Sequence, residues 1–179
     1  MKPAHTWPIG NEMGKDSIAL RPLSVSDYET VLNWSKDDLF CSANDWEKNR
    51  NEEELYKWWL HCVNNEADDF IRMGIEFNGK LIGYADLANI EGHSAEIGIA
   101  IGETSLWGKG IGYHSTLSLL KYASTELGIT IFNAETHETN TRSRKMLQNL
   151  GFEEISRIGS EEYLGEDSQL IQYRLTKNA

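Results

Sequence analysis

Glu96-Ile97-Gly98-Ile99-Ala100-Ile101-Gly102, continued by Leu106-Trp107-Gly108-Lys109-Gly110-Ile111-Gly112-Tyr113, is the stretch whose reading decides the fold. Ile97, Ile99 and Ile101 alternate with Gly98, Ala100 and Gly102, and a period of two marks a strand. One face of that strand carries branched bulk, and the other carries almost nothing. From Ile111 the period changes: Leu117, Leu120, Ala123 and Leu127 recur at helical spacing. A strand therefore runs into a glycine-rich turn, and a helix follows. Glycines at such a junction let backbone N–H groups approach an anion, and the helix N-terminus adds partial positive charge. The physics is that of a phosphate cradle. An ordinary strand-to-helix turn does not need alternating glycines at 108, 110 and 112.

The run lacks the Gly-x-x-x-x-Gly-Lys-Ser/Thr pattern that wraps a nucleoside triphosphate. A dinucleotide fingerprint counted from Gly108 and Gly110 would need glycine where Tyr113 stands. What the run resembles is motif A of the GNAT superfamily, the acyl-CoA-dependent N-acetyltransferases. Its Arg/Gln-x-x-Gly-x-Gly/Ala signature falls on Trp107, Gly110 and Gly112. Trp107 departs from the first position, and Trp-Gly-Lys-Gly-x-Gly is similar to the form in ribosomal-protein-type members. Downstream, Asn140-x-x-Ser143 followed by Leu150-Gly151-Phe152 resembles the family's motif B. The opening Leu20-Arg21-Pro22-Leu23 with Asp27 is similar to the start of many such members.

At 179 residues with 40% apolar content, the chain is long enough to bury a sizeable core. Residues 1–16, with Pro3, Pro8, Gly10 and Gly14, read as a flexible leader, and residues 17–179 as a single domain. Cys41 and Cys62 form no metal-spaced pair and suggest free thiols in a reducing compartment. Met1 to Pro8 lacks the apolar core of a secretion signal, and no stretch approaches the ~20 apolar residues that span a bilayer. A soluble cytoplasmic protein without a membrane partner is the expectation. A net charge of −11 argues against nucleic acid. Asp37 to Asp69 holds ten carboxylates against Lys48, Arg50 and Lys57, a net −7. Those charges form either a solvated helical surface or a negative rim for a cationic substrate.

In chain order, Ile18 to Leu23 is a short strand stopped by Pro22. Ser24 or Ser26 caps a helix with Val31, Leu32 and Trp34 on its apolar side. Residues 36–50 read as irregular, anchored by Phe40 and Trp46, and a helix follows from Glu52 to Val63. Trp58 and Trp59 point about 100° apart, so one of them is core. Asp69 to Phe77 and Lys80 to Ala88 are strands around the Asn78-Gly79 hairpin signal. His93 to Ile101 and Ile129 to Thr136 are further strands, the second after Gly128 as a helix stop. Asn140 caps a helix with Met146, Leu147 and Leu150 inward. Phe152 to Ile158 and Gln169 to Leu175 form a last pair, joined by an acidic Glu161–Asp167 loop. This order matches the GNAT fold along essentially the whole chain, an α+β arrangement with a mixed, mostly antiparallel central sheet flanked by helices.

The resemblance implies acetyl-CoA as acyl donor and needs no metal; no histidine has metal-ligand spacing. The pyrophosphate would take N–H groups from Trp107, Gly108, Lys109, Gly110, Ile111 and Gly112, beside Tyr113. The pantetheine arm would lie along Ile99, Ala100 and Ile101, with Asn140 and Ser143 across from it. Acetyl transfer needs a base for the amine, donors for the oxyanion and an acid for the thiolate. Glu96, on the open face with Gly98 and Ala100, is the first candidate base; its plain alternative is a strand-edge carboxylate. Glu135 and His137, sharing a face on the next strand, come second. Many members carry a tyrosine seven residues past the motif B asparagine, where this chain has Leu147. The implied activity is acetyl transfer by direct attack in a ternary complex. The acceptor is a primary amine of an aminoglycoside-like molecule, polyamine or peptide N-terminus. The resemblance leaves room for a homodimer. The competing reading is a catalytically silent CoA-binding module of the same fold.

Overall fold

The structure, a computed structural model, describes residues 18–178; the leader expected over residues 1–16 lies outside them. It begins with β1 (Ile18–Arg21), α1 (Tyr28–Ser35), α2 (Asp38–Ala43) and α3 (Glu52–Val63). Then come β2 (Ile71–Phe77), β3 (Lys80–Glu91), β4 (Ser94–Ile101) and α4 (Ile111–Leu127). The remainder is β5 (Ile131–His137), α5 (Thr141–Asn149), β6 (Glu153–Ser156), β7 (Ser160–Tyr163) and β8 (Glu166–Thr176). The strands make one mixed sheet in the order β1-β2-β3-β4-β5-β8-β6, with β7 paired to β8. Every pairing is antiparallel except β4 with β5. That exception positions the site. Its ladder covers only Ser94↔Ile131, Ala95↔Phe132 and Glu96↔Asn133, so β4 and β5 part beyond Glu96.

Each face of the sheet buries its own core. On one side, Ile97 on β4 and Phe132 on β5 meet Leu119, Leu120 and Ala123 of α4 and Leu147 of α5. On the other, Leu81, Tyr84 and Ala100 meet Val31 and Trp34 of α1, Phe40 of α2, and Leu55 and Trp59 of α3. Contact there is close enough that a Cβ at Gly102 would run into the Trp34 ring, which explains the small residue at that end of the strand. Trp59 is fully buried, its indole N–H donating to the Ser24 carbonyl, and Trp58 is half-buried.

Three expectations need correction. Residues 38–43 are helical rather than irregular: the Asp37 carboxylate accepts from the backbone N–H groups of Leu39 and Phe40, and Phe40 and Cys41 are buried. A cap plus two buried side chains suffices for a helix too short to show a period. Leu117 is 45% exposed, and the inward face of α4 runs through Thr116, Leu119, Leu120 and Ala123 instead. The acidic stretch at 161–167 is not a loop but the hairpin β7–β8, turning on Leu164 and Gly165 with φ 51° and 84°. A leucine in left-handed conformation is rare, and the glutamates around it are poor strand formers, so the hairpin had no local signal.

Candidate functional site

Gly110 opens α4 with φ 81° and ψ 2°, a conformation that disfavours any residue with a Cβ. Among the described residues no side chain caps this helix, so its first-turn N–H groups are left for an acceptor from outside. In front of them lies a cleft of about 790 Å³. Of the residues assigned to a cofactor from sequence, Ile99, Ile101, Trp107, Gly108, Gly110, Gly112, Tyr113, Asn140 and Ser143 line it. Ala100 faces the other side, buried with Tyr84, Lys109 lies in the turn without lining the cleft, and Ile111, the first residue of α4, is buried in the core. The cleft thus follows β4 from the point where it leaves β5 to the start of α4. Trp107 is fixed at the end of the cleft near α4, its indole N–H donating 2.9 Å to the Ile101 carbonyl. Asn140 caps α5, accepting from the Ser143 N–H at 3.2 Å.

Sequence reasoning missed Arg142, Lys145, Met146 and Tyr163 in this lining. The first three lie on α5, between or just beyond the motif residues Asn140 and Ser143, and helical neighbourhood was the signal that could have found them. Tyr163 comes from β7, whose existence the sequence did not reveal. Leu147, by contrast, is 2% exposed and packs in the core, out of reach of the cleft.

A second cavity of about 540 Å³ adjoins the first, and Ala43 and Asn44 border both. His137, Asp45, Glu161 and Glu162 line it. The boundary between the cavities includes a stacked pair: the His137 and Tyr163 rings lie 4.6 Å apart at 14°. Tyr163 faces the first cavity and His137 the second. Burial pushes the Tyr163 hydroxyl pKa up, and the positive charge of Arg142 pulls it partly back. The His137 Nδ1 atom is buried without a hydrogen-bond partner among the described residues.

The three candidate bases do share a face. Glu96 stands opposite Asn133 in the parallel ladder, and Asn133, Glu135 and His137 alternate along β5. Of the three, His137 lines the second cavity, while Glu96 and Glu135 line neither of these two. The Glu96 carboxylate accepts from the Asn89 side-chain amide at 2.9 Å, and Glu135 from that of Gln172 at 2.8 Å. Among the described residues no group of histidine, cysteine, aspartate or glutamate is placed to hold a metal ion. Among the described residues no helix is long and apolar enough to cross a membrane.

A mixed sheet whose one parallel pair parts above an uncapped, glycine-led helix is the GNAT fold. The chain belongs to that family: the acetyltransferase (GNAT) domain matches residues 17–153. It is 41% identical over 158 residues to human alpha/beta-tubulin-N-acetyltransferase 9, covering 85% of this chain and 66% of that protein. An uncharacterised protein of Methanocaldococcus jannaschii is 31% identical over 157 residues, covering 87% of this chain and 32% of its own length. The chain thus spans only part of these relatives. Among solved structures, spermidine N-acetyltransferase from Vibrio cholerae in complex with CoA and spermine superposes with a TM-score of 0.76. The two share 21% identity over 89% of this chain and 95% of that one.

Proposed function

We propose that this chain is an acetyl-CoA-dependent N-acetyltransferase that acetylates a primary amine of a cationic acceptor by direct attack within a ternary complex. The observation that carries this reading is the meeting of two cavities with opposite linings. The cleft along β4 ends in free helix N–H groups and has no carboxylate among the described residues of its lining, which suits the phosphates of CoA. The adjoining cavity holds Asp45, Glu161 and Glu162, which suits an ammonium group or several. Thioester and amine would then meet at Ala43, Asn44 and the His137–Tyr163 stack. CoA supplies the activated acetyl group, and positioning against it accounts for much of the rate. Glu96, His137 or Glu135 receives the amine proton, directly or through water. Tyr163 is our candidate for protonating the departing thiolate, because the α5 position where the family often has tyrosine is buried Leu147. The spermine held by the Vibrio enzyme and the tubulin acetylated by the human one, as their names state, support an amine acceptor without choosing it. Free Cys41 and Cys62 fit a reducing, cytoplasmic setting.

The test is a thiol-release assay with acetyl-CoA against polyamines, aminoglycosides and peptides with free N-termini, run beside calorimetric CoA binding. Turnover with a polycationic acceptor is expected, with a KM that rises steeply with salt because the attraction is screened within ~8–10 Å. Replacing Glu161 and Glu162 by lysine should raise that KM at low salt. An acceptor whose KM ignores both changes would sink the cationic reading. Tight CoA binding with no turnover across the panel would favour the silent binding module, the reading to which Leu147 points.

A further inference from the structure

The turn that cradles the phosphates lacks a basic residue at its entrance, where Trp107 stands. Lys109 lies in the turn but does not line the cleft, and the cations that do line it come from elsewhere in the fold. The Arg142 guanidinium, carried by the first turn of α5, lies 4.8 Å from the centroid of the Trp107 ring. Trp107 is itself held by its hydrogen bond to the Ile101 carbonyl, so the indole is a fixed shelf beneath the guanidinium. Arg142 has no ion pair among the described residues. In a chain of net charge −11, Arg142 and Lys145 are the only charged groups among the described residues that line the cleft, and both are positive. An arginine stacked on an aromatic face keeps its N–H edge open for planar, two-point contact with phosphate oxygens.

We propose that Arg142, shelved on Trp107, is the residue that grips the CoA pyrophosphate from the α5 side, facing the N–H groups of α4 across the cleft. The proposal rests on the CoA reading above and adds to it a specific binding residue. The pyrophosphate, rather than the 3′-phosphate, is assigned because the guanidinium sits over the residue that leads into Gly108 and Gly110. Arg142 is exposed and touches no core, so substitutions there leave folding intact.

Calorimetric titration with CoA and with dephospho-CoA, which keeps the pyrophosphate but lacks the 3′-phosphate, tests this. Arg142→Gln should weaken both ligands by the same factor, about 10- to 100-fold for a lost charge-assisted contact. Arg142→Lys should recover only part of it. Lys145→Gln, which removes an equal charge without a shelf, should cost less than Arg142→Gln. Trp107→Leu and Arg142→Gln should be strongly non-additive in a double-mutant cycle. A loss confined to CoA would transfer Arg142 to the 3′-phosphate and overturn the assignment. Equal small effects from Arg142→Gln and Lys145→Gln would reduce it to a general field, which also overturns it. A wild-type protein that binds neither ligand would instead defeat the CoA reading of the cleft itself.

Discussion

Arg72 on β2 and Asp86 on β3 meet in a two-point pair, Nε to Oδ1 at 2.7 Å and Nη2 to Oδ2 at 2.7 Å, with side chains only 15% and 17% exposed. The pair lies on the face of the sheet under α3. Gly98 on β4 is paired opposite Asp86. The Arg72 guanidinium also covers the Tyr84 ring at 4.4 Å and touches Trp58 and Phe70. Breaking one side of such a pair strands a charge in a low-dielectric setting. Asp86→Asn or Arg72→Met should therefore each cost about 3–5 kcal/mol in denaturant unfolding. The double replacement Arg72→Met with Asp86→Leu should recover much of that loss. If the single variants match the wild type, the pair is better solvated than its burial suggests.

Tyr84 gives the fold a sensitivity to alkali. Burial raises its pKa, the Arg72 charge opposes the rise, and the net result is a shift from 10.0 to about 12. A group whose folded pKa is raised gives stability that is complete below the unfolded value and lost as pH rises through the folded one. Tyr84 should thus contribute a loss that begins near pH 10 and is complete near pH 12, with a slope of up to about 1.4 kcal/mol per pH unit. Unfolding measured across that range should fall less steeply for Tyr84→Phe than for the wild type. Parallel slopes would show that the phenol ionises freely in the folded state.

Gly110→Val tests the cradle. A valine there must hold φ near 81°, at a cost of about 1–2 kcal/mol or more for a branched residue. Its side chain would also enter open space, where the nearest atom to the new Cβ is His114 Cδ2 at 4.0 Å. Gly110 itself lines the cleft at the start of α4, where the proposed pyrophosphate site lies. CoA affinity should drop at least ~10-fold, equivalent to 1.4 kcal/mol, in a variant whose circular dichroism is unchanged. Retained affinity would move the pyrophosphate away from this turn.

Proton transfer can be divided between the two sides of the His137–Tyr163 stack. Glu96→Gln should lower kcat by roughly 10²-fold with CoA affinity intact, and should remove the acid limb of the pH–rate profile. Should that limb survive, His137→Gln and Glu135→Gln are the next variants. Tyr163→Phe keeps the stack on His137 but removes the hydroxyl, so it should lower kcat while sparing the KM for the acceptor. A normal rate in Tyr163→Phe leaves solvent to protonate the thiolate.

Much of the proposed donor site was legible because it is local. Gly108, Gly110 and Gly112 fall within one turn and Asn140 and Ser143 within another, and their chemistry is that of exposed backbone N–H groups and a helix cap. The acceptor side was not legible in this way. The acid between Asp37 and Asp69 was visible as a charge excess, yet Asp45 is the member of it that lines the second cavity. Glu52 and Glu53 instead pair with Lys36 and Lys57 on the surface. Glu161 and Glu162 join Asp45 only through the β7–β8 hairpin, whose turn depends on Leu164 adopting a positive φ.

The sequence by itself determined the strand–turn–helix unit at Glu96 to Leu127, the capped helix at Asn140, the family, and the order of the main elements. Each of these depends on residues within one or two turns of one another, where spacing alone dictates which face and which N–H groups are presented. The tertiary structure decided where β4 leaves β5, that Tyr163 lines the cleft, and that Arg142 reaches Trp107. Those relations join residues dozens of positions apart, and they exist only because packing on both faces of one sheet brings those residues together.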